Sequence, residues 1–199
     1  MILAATAEGR AAETDAQLIA ECRSGNVEAF GRIYLRYEHA LFRHALYLLG
    51  QREDADDVKQ ETFLRAYRGI GALRNDYNIR TWLFRICSNL CCDLLRRRQR
   101  RPQLPLDAQC VAHFIAEEAN ANDPIRIAER SDTLAAFVQV LQGMPVQQRQ
   151  AITLYLLEGF DYSEIAEVLG CARGSAKMRV LRAMEQYRAR VASFLGEPE

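Results

Sequence analysis

The chain has 199 residues, 49% of them hydrophobic, enough to bury one core or two small ones and too apolar for a disordered tail. Lys plus Arg and Asp plus Glu each total 26, so no overall field draws the protein to nucleic acid or membrane, and any electrostatic role rests on local segregation of charge. The opening MILAATAEGRAAETDA lacks a signal peptide's basic start and apolar run, and no charge-free span approaches the roughly 18 apolar residues of a membrane helix, so a soluble cytoplasmic protein without membrane insertion is expected.

Helical periodicity dominates and strand-like alternation is scarce, which predicts an all-α protein of two small helical domains. Residues 1–13 read as a disordered tail. Asp15 to Cys22 forms a short helix ended near Ser24-Gly25. Asn26 can cap a long helix carrying Phe30, Ile33, Tyr34, Tyr37, Leu41, Phe42, Leu46 and Leu49, and Gly50 stops it. A third helix, about Glu53 to Tyr67, opens on an acidic first turn that the helix dipole favours. On it Asp56, Gln60 and Phe63 share one side and Asp57, Glu61 and Leu64 the next, a mixed surface that suits a partner helix or, more simply, a solvated face.

The segment Leu73 to Thr81 is polar and turn-rich, and Trp82 to Arg98 then resumes as an amphipathic helix. Its wheel sends Leu83, Ile86, Cys87, Leu90 and Leu94 inward and Arg85, Ser88, Asn89, Cys92 and Arg96 outward, with Trp82 and Asp93 at the boundary. A cationic, hydrogen-bonding face beside an aromatic-containing loop has the composition expected for single-stranded DNA, where aromatics stack on bases and arginines track the backbone; Trp82 is ambiguous, since a lone tryptophan at a helix start is more often core. Pro102, Pro105 and Pro124 and a loss of periodicity mark residues 102–124 as a linker, dividing a first domain, 14–101, from a second, 125–199.

The second domain is expected to hold a helix from about Ile125 to Leu141, a helix with Pro145 at its first position and closed by Gly159, and then the pair in YSEIAEVLGCARGSAKMRVLRA. Asp161 with Glu164 makes a capping-box start, and Gly170-Cys171-Ala172 is a turn of helix-turn-helix length. On the second helix Ala176, Val180, Ala183, Met184 and Tyr187 form the core side. The far side presents Gly174, Ser175, Met178, Leu181 and Arg182, with Lys177 and Arg179 flanking and Arg173 at the start. That is the layout of a recognition helix, with small or polar residues toward base edges and cations toward phosphates; a helical hairpin with a solvated basic face is the plainer alternative.

These stretches, taken in order, resemble the extracytoplasmic-function class of sigma factors. MPVQQRQAITLYLLEGFDYSEIAEVLGCARGSAKMRVLRAM is similar to region 4, through Met144-Pro145, Arg149, Glu158-Gly159, Glu164-Ile165-Ala166, Leu169-Gly170, Gly174-Ser175-Ala176-Lys177, Arg179 and Arg182-Ala183. DADDVKQETFLRAY, Asp54 to Tyr67, looks like region 2.2, and TWLFRICSNLCCDLLRRR, Thr81 to Arg98, like regions 2.3 and 2.4. The resemblance implies a promoter-specificity subunit that binds core RNA polymerase, melts the −10 element and reads the −35 element. Asp57, Gln60, Glu61 and Leu64 would meet the clamp helices of the largest polymerase subunit, and region 4 the flap of the second-largest. Arg74, Tyr77, Asn78, Trp82, Arg85, Ser88, Asn89 and Arg96 would meet −10 DNA, the loop Arg74 to Ile79 forming the pocket for a flipped base. Arg173, Ser175, Lys177, Met178, Arg179, Leu181 and Arg182 would meet the −35 element. An anti-sigma partner, membrane-bound or soluble, is implied as well. Met178 and Ser175-Ala176 depart from the family's usual Ser and Thr-Val, so the sequence read upstream does not carry over.

Two other classes compete: an autonomous helix-turn-helix regulator, and a thiol or metal sensor built on Cys87, Cys91 and Cys92. The six cysteines show no CxxC pair and no zinc-like spacing, and no phosphate-cradling glycine loop, HExxH or nucleophile–base arrangement is present, so neither enzyme activity nor a cofactor is expected. His39 and His44 read as surface or structural residues.

Overall fold

Local signals fix where the helices start and stop. In the computed structural model, which describes residues 13–73, 78–98 and 138–195 (side chains to 191), Thr14 and Gln17 form a reciprocal capping box at the head of α1 (Asp15–Arg23). The Asn26 side chain accepts from the N–H groups of Glu28 and Ala29 to open α2 (Val27–Leu49), and Gly50 closes it at φ 73°, where only glycine sits without strain. Then come α3 (Arg52–Gly69), a 3₁₀ turn (Ile70–Ala72), and α4 (Ile79–Arg98).

After helical residues 138–142 the second unit has α5 (Val146–Leu156), α6 (Tyr162–Leu169) and α7 (Arg173–Leu195). The Asp161–Glu164 capping box opens α6 and Gly170, at φ 61°, ends it. No strand occurs among the described residues.

Three boundaries differ from expectation. α4 begins three residues earlier than Trp82, because Asn78 caps it: its Oδ1 accepts from the Thr81 N–H at 3.3 Å and its carbonyl from the Trp82 N–H at 3.0 Å. Pro145 is the N-cap of α5, not its first residue; its backbone is extended (ψ 137°) while its carbonyl accepts from the Arg149 N–H. Glu13 is docked, since Arg32 Nε meets its carboxylate at 2.9 Å and Arg36 donates to its carbonyl at 2.7 Å, so the expected tail ends before it. The helix expected from Ile125 lies outside the described residues up to 137, as does the linker.

α2 forms the axis of the first unit, with α1, α3 and α4 packed on it, and α7 backs α5 and α6 in the second. The two units also meet each other, α4 against α6 and α2 against α5. This seam is chemically specific. The last turn of an α-helix leaves carbonyls without partners, and at the end of α2 two of them are taken up from the other unit: Gln142 donates to Tyr47 at 3.0 Å and Arg149 to Leu48 at 2.6 Å. Arg149 also donates to the carbonyls of Gln142 (2.8 Å) and Met144 (3.2 Å). Burial lowers its pKa to about 10, still fully charged at neutral pH, a cation set against the negative end of the α2 dipole.

Candidate nucleic-acid interface

The first candidate surface is α3. Asp57 and Gln60 are exposed and Glu61 is half-exposed, held by Arg65 at 2.8 Å. Leu64, 51% exposed, continues the same stripe, and Tyr67 lies one turn on. Phe63 instead faces inward beneath Phe30 and Tyr34. The mixed surface foreseen for a partner helix therefore exists, an acidic row ending in an open leucine. Asp56, placed on the neighbouring side, is engaged locally by Lys59 at 2.8 Å.

On α4, Arg85, Asn89 and Arg96 are exposed as expected. Trp82 is half-buried, packed with the core and lying over Gly69, where a Cβ would stand 3.1 Å from its ring. Asn78 is exposed but committed, capping α4 and donating to Glu164 of α6 at 3.3 Å. Arg74 and Tyr77 lie outside the described residues.

Ser88 corrects the wheel: it is buried at 1% exposure rather than outward-facing. Its hydroxyl pairs with His44 Nε2 at 2.9 Å and its carbonyl accepts from Gln150 of α5 at 3.1 Å. The physical reason is that α4 is covered from two directions, by α2 and α3 on one side and by the second unit on the other. Its buried arc is wider than half, taking in Phe84 and Cys91.

The third surface is the start of α7. Ala176, Val180 and Ala183 are buried while Arg173, Ser175, Lys177 and Arg182 are exposed, along with Met178 (47%) and Leu181 (40%). Gly174, Ser175, Met178, Arg179 and Arg182 rim a shallow depression of about 380 Å³. Arg179 is half-buried, because it and Arg182 also line an interdomain cleft of about 460 Å³ with Cys92, Leu95 and Arg96 of α4. The structure thus brings a −10 candidate, Arg96, beside two −35 candidates, and keeps the α3 stripe separate from that cleft.

The described cysteines, Cys22, Cys87, Cys91, Cys92 and Cys171, are all free. Burial pushes the Cys91 thiol well up, with Cys87 beside it adding to the effect, and burial also raises Cys92, so neither Cys91 nor Cys92 is poised as a thiolate. His44, buried, has its pKa lowered to about 3 by desolvation and by Arg43, so the ring is neutral. No cluster of metal-ligating side chains occurs among the described residues.

Reading the sequence missed the polar centre of the seam. Arg80 of α4 donates to the Glu158 carbonyl and lies over the Phe160 ring at 4.0 Å, and Phe160 meets Phe84 edge-on at 5.0 Å. Arg43 of α2 reaches the Glu158 carboxylate at 3.4 Å. A signal was available: Arg80, Phe84 and Ser88 recur every four residues, which sets them on one helical face.

Residues 33–101 match the family described as Sigma-70 region 2, and residues 134–186 match Sigma-70, region 4. The ECF RNA polymerase sigma factor SigM of Mycobacterium tuberculosis (strain ATCC 25618 / H37Rv) is 35% identical over 191 residues, covering 94% of this chain and 88% of its own. The RNA polymerase sigma-H factor of Pseudomonas aeruginosa is 33% identical over 176 residues, covering 87% and 91%. Among solved structures, CnrH in complex with the cytosolic domain of CnrY superposes with TM-score 0.67 at 27% identity, covering 90% of this chain and 97% of that one. The fold is shared also by the Bartonella quintana sigma factor RpoE in complex with the anti-sigma factor NepR, with TM-score 0.63 at 24% identity over 83% and 98% of the chains.

Proposed function

The chain belongs to the extracytoplasmic-function sigma factors of the sigma-70 family, and on that premise we propose that it works by opening: its two domains, closed on each other here, part to occupy the −10 and −35 elements on core RNA polymerase. As a sigma factor it is a transcription initiation factor rather than an enzyme. Residues 14–101 serve as the polymerase- and −10-binding domain, 102–124 as linker, and 125–199 as the −35-binding domain. Asp57, Gln60, Glu61 and Leu64 contact the polymerase clamp helices. Arg85, Asn89 and Arg96, with the loop from Arg74 to Asn78 and Trp82, serve the melted strand. Ser175, Met178, Leu181 and Arg182 face base edges while Arg173, Lys177 and Arg179 hold phosphates. Action in the cytoplasm, where polymerase and DNA reside, goes with this reading; no described helix is long and apolar enough to cross a membrane.

The spacing of the two promoter elements requires the opening step. The −35 and −10 elements lie about 25 base pairs apart, or roughly 85 Å of duplex at 3.4 Å per pair. Each domain of this size has a radius of gyration of only about 13 Å, so two packed domains fall far short. The linker, the 23 residues from 102 to 124, can bridge at most about 80 Å fully extended, which together with the width of the two domains suffices for the separated arrangement. Opening exposes Ser88, Arg149 and the last carbonyls of α2 to water, which replaces their partners at modest net cost per bond.

An anti-sigma partner would act on this equilibrium. CnrH and the Bartonella RpoE were each solved with a bound protein, the cytosolic domain of CnrY and the anti-sigma factor NepR. We infer a partner here that binds the closed pair better than the open one. The test is footprinting of promoter fragments by the chain with core polymerase: protection of two separated segments is expected. Protection of one palindromic segment by the chain alone would favour the autonomous regulator.

A further inference from the structure

Glu158 and Phe160 fill the centre of the seam. They flank Gly159, whose φ of 66° turns the chain between α5 and α6, and both engage Arg80: the Glu158 carbonyl accepts its N–H and the Phe160 ring lies 4.0 Å beneath its guanidinium. The Glu158 side chain, 3% exposed, offers its carboxylate to Arg43 at 3.4 Å, and the Phe160 ring rests against Phe84 at 5.0 Å. One flat ring and one anion, presented two residues apart, thus engage two arginines and a second aromatic ring. Neighbouring Glu164 repeats the pattern by taking the amide of Asn78 at 3.3 Å.

On the first domain's side, what remains once the second domain leaves is Arg43, Arg80 and the Phe84 ring, with the neutral His44 ring 5.2 Å from Phe84. An aromatic face for stacking flanked by arginines for phosphate is the composition of a single-strand binding groove. We propose that Phe84, Arg80 and Arg43 form a pocket for one unpaired nucleotide of the melted −10 strand, the base on Phe84 and the phosphate between the arginines, and that Phe160 and Glu158 occupy it in the closed protein. The pocket lies between α2 and α4, and its three side chains are none of those assigned to the −10 element above. It rests on the −10 reading of the first domain, and it makes closure and strand binding mutually exclusive at the same side chains.

A simple internal latch predicts a different mutational pattern, which makes the idea testable. Fluorescent mixed-sequence single-stranded DNA about 12 nucleotides long is titrated into the full chain. Glu158→Gln, which weakens the occupant and leaves the pocket, binds it at least about fivefold tighter than wild type. Arg80→Gln, which opens the seam but damages the pocket, binds no tighter than wild type, and the double variant loses the Glu158→Gln gain. Phe160→Ala, checked for an intact helical spectrum, repeats the Glu158→Gln result. If Arg80→Gln also tightens binding, the seam is only a latch and the pocket is overturned; an unchanged Glu158→Gln overturns it equally. Transcripts started from genomic DNA by the wild-type chain with core polymerase report on the sigma reading separately, since that activity can persist when the pocket fails.

Discussion

Gln150 of α5 donates its side-chain amide to the main-chain carbonyl of Ser88 in α4 at 3.1 Å, a bond that ties a helix of one domain to the middle of a helix in the other. Both residues are buried, so the contact exists only while the domains are closed. Gln150→Leu should weaken closure by about 1 kcal/mol, the usual net worth of such a bond. Limited proteolysis between residues 99 and 137 should quicken accordingly, by about fivefold.

Reversing the charges of Asp57 and Glu61 together should weaken binding to core polymerase while leaving the fold nearly untouched, since exposed substitutions away from the core usually stay within about 0.5 kcal/mol. Glu61 loses its Arg65 partner in the process, an exposed pair worth little. Co-elution from a sizing column reads the first effect and a melting curve the second. Undiminished co-elution would remove α3 from the polymerase interface.

Arg182→Ala and Arg179→Ala should fail in different ways. The exposed Arg182, set toward base edges, should cost about 1 to 3 kcal/mol at a preferred promoter and relax preference at one position. Half-buried Arg179 should weaken all promoters alike and reduce the salt slope by about one unit. Titration of −35 duplexes at several salt concentrations separates them, and two identical profiles would contradict the division of roles.

Acid should destabilise the fold through His44. Its pKa in the folded chain is lowered to about 3, by burial first and Arg43 second, against 6.5 for the free side chain. Its stabilising contribution is therefore complete above about pH 6.5 and drains away as the pH falls toward 3, by on the order of 2 kcal/mol between pH 6.5 and 4.5. Glu158 works in the opposite sense, because burial raises its pKa and the folded chain takes up that proton more readily. Denaturant midpoints measured across this range should fall for the wild type and flatten in His44→Asn.

Much of the fold was legible because its signals are local. Asn26, Gly50, Asp161 with Glu164, and Gly170 each set a helix end through a cap or a positive φ, and those interactions span only a few residues. The α7 wheel also held, since that helix packs on its partners from one side and Ala176, Val180 and Ala183 share that side. Ser88 escaped because a wheel sorts residues by one core, whereas α4 meets two. Arg80, Glu158 and Phe160 escaped for the same reason, their partners being 78 residues apart in the case of Arg80 and Glu158. Asn78 was expected only as a DNA-binding residue and not as the cap that starts α4 early, because the polar, turn-rich segment before Trp82 reads as loop.

Thiol labelling tests the placement of α4 directly. Cys87 and Cys91 are fully buried while Cys92 is half-exposed at the rim of the interdomain cleft. A bulky maleimide should modify Cys92 well before Cys87 or Cys91, and mass mapping should show that order. Its rate should also rise when core polymerase is absent but the seam is weakened by Gln150→Leu.

The opening of the two domains is tested most directly by an intramolecular distance. Fluorophores are placed at Arg68 of α3 and Arg188 of α7, both exposed, in an otherwise cysteine-free chain that still supports transcription. The free protein should give a single high-transfer population, and adding core polymerase and promoter DNA should shift it to low transfer, with the labels tens of ångströms further apart, as duplex elements roughly 85 Å apart require. An active promoter complex that keeps the high-transfer distance of the free chain would contradict the account.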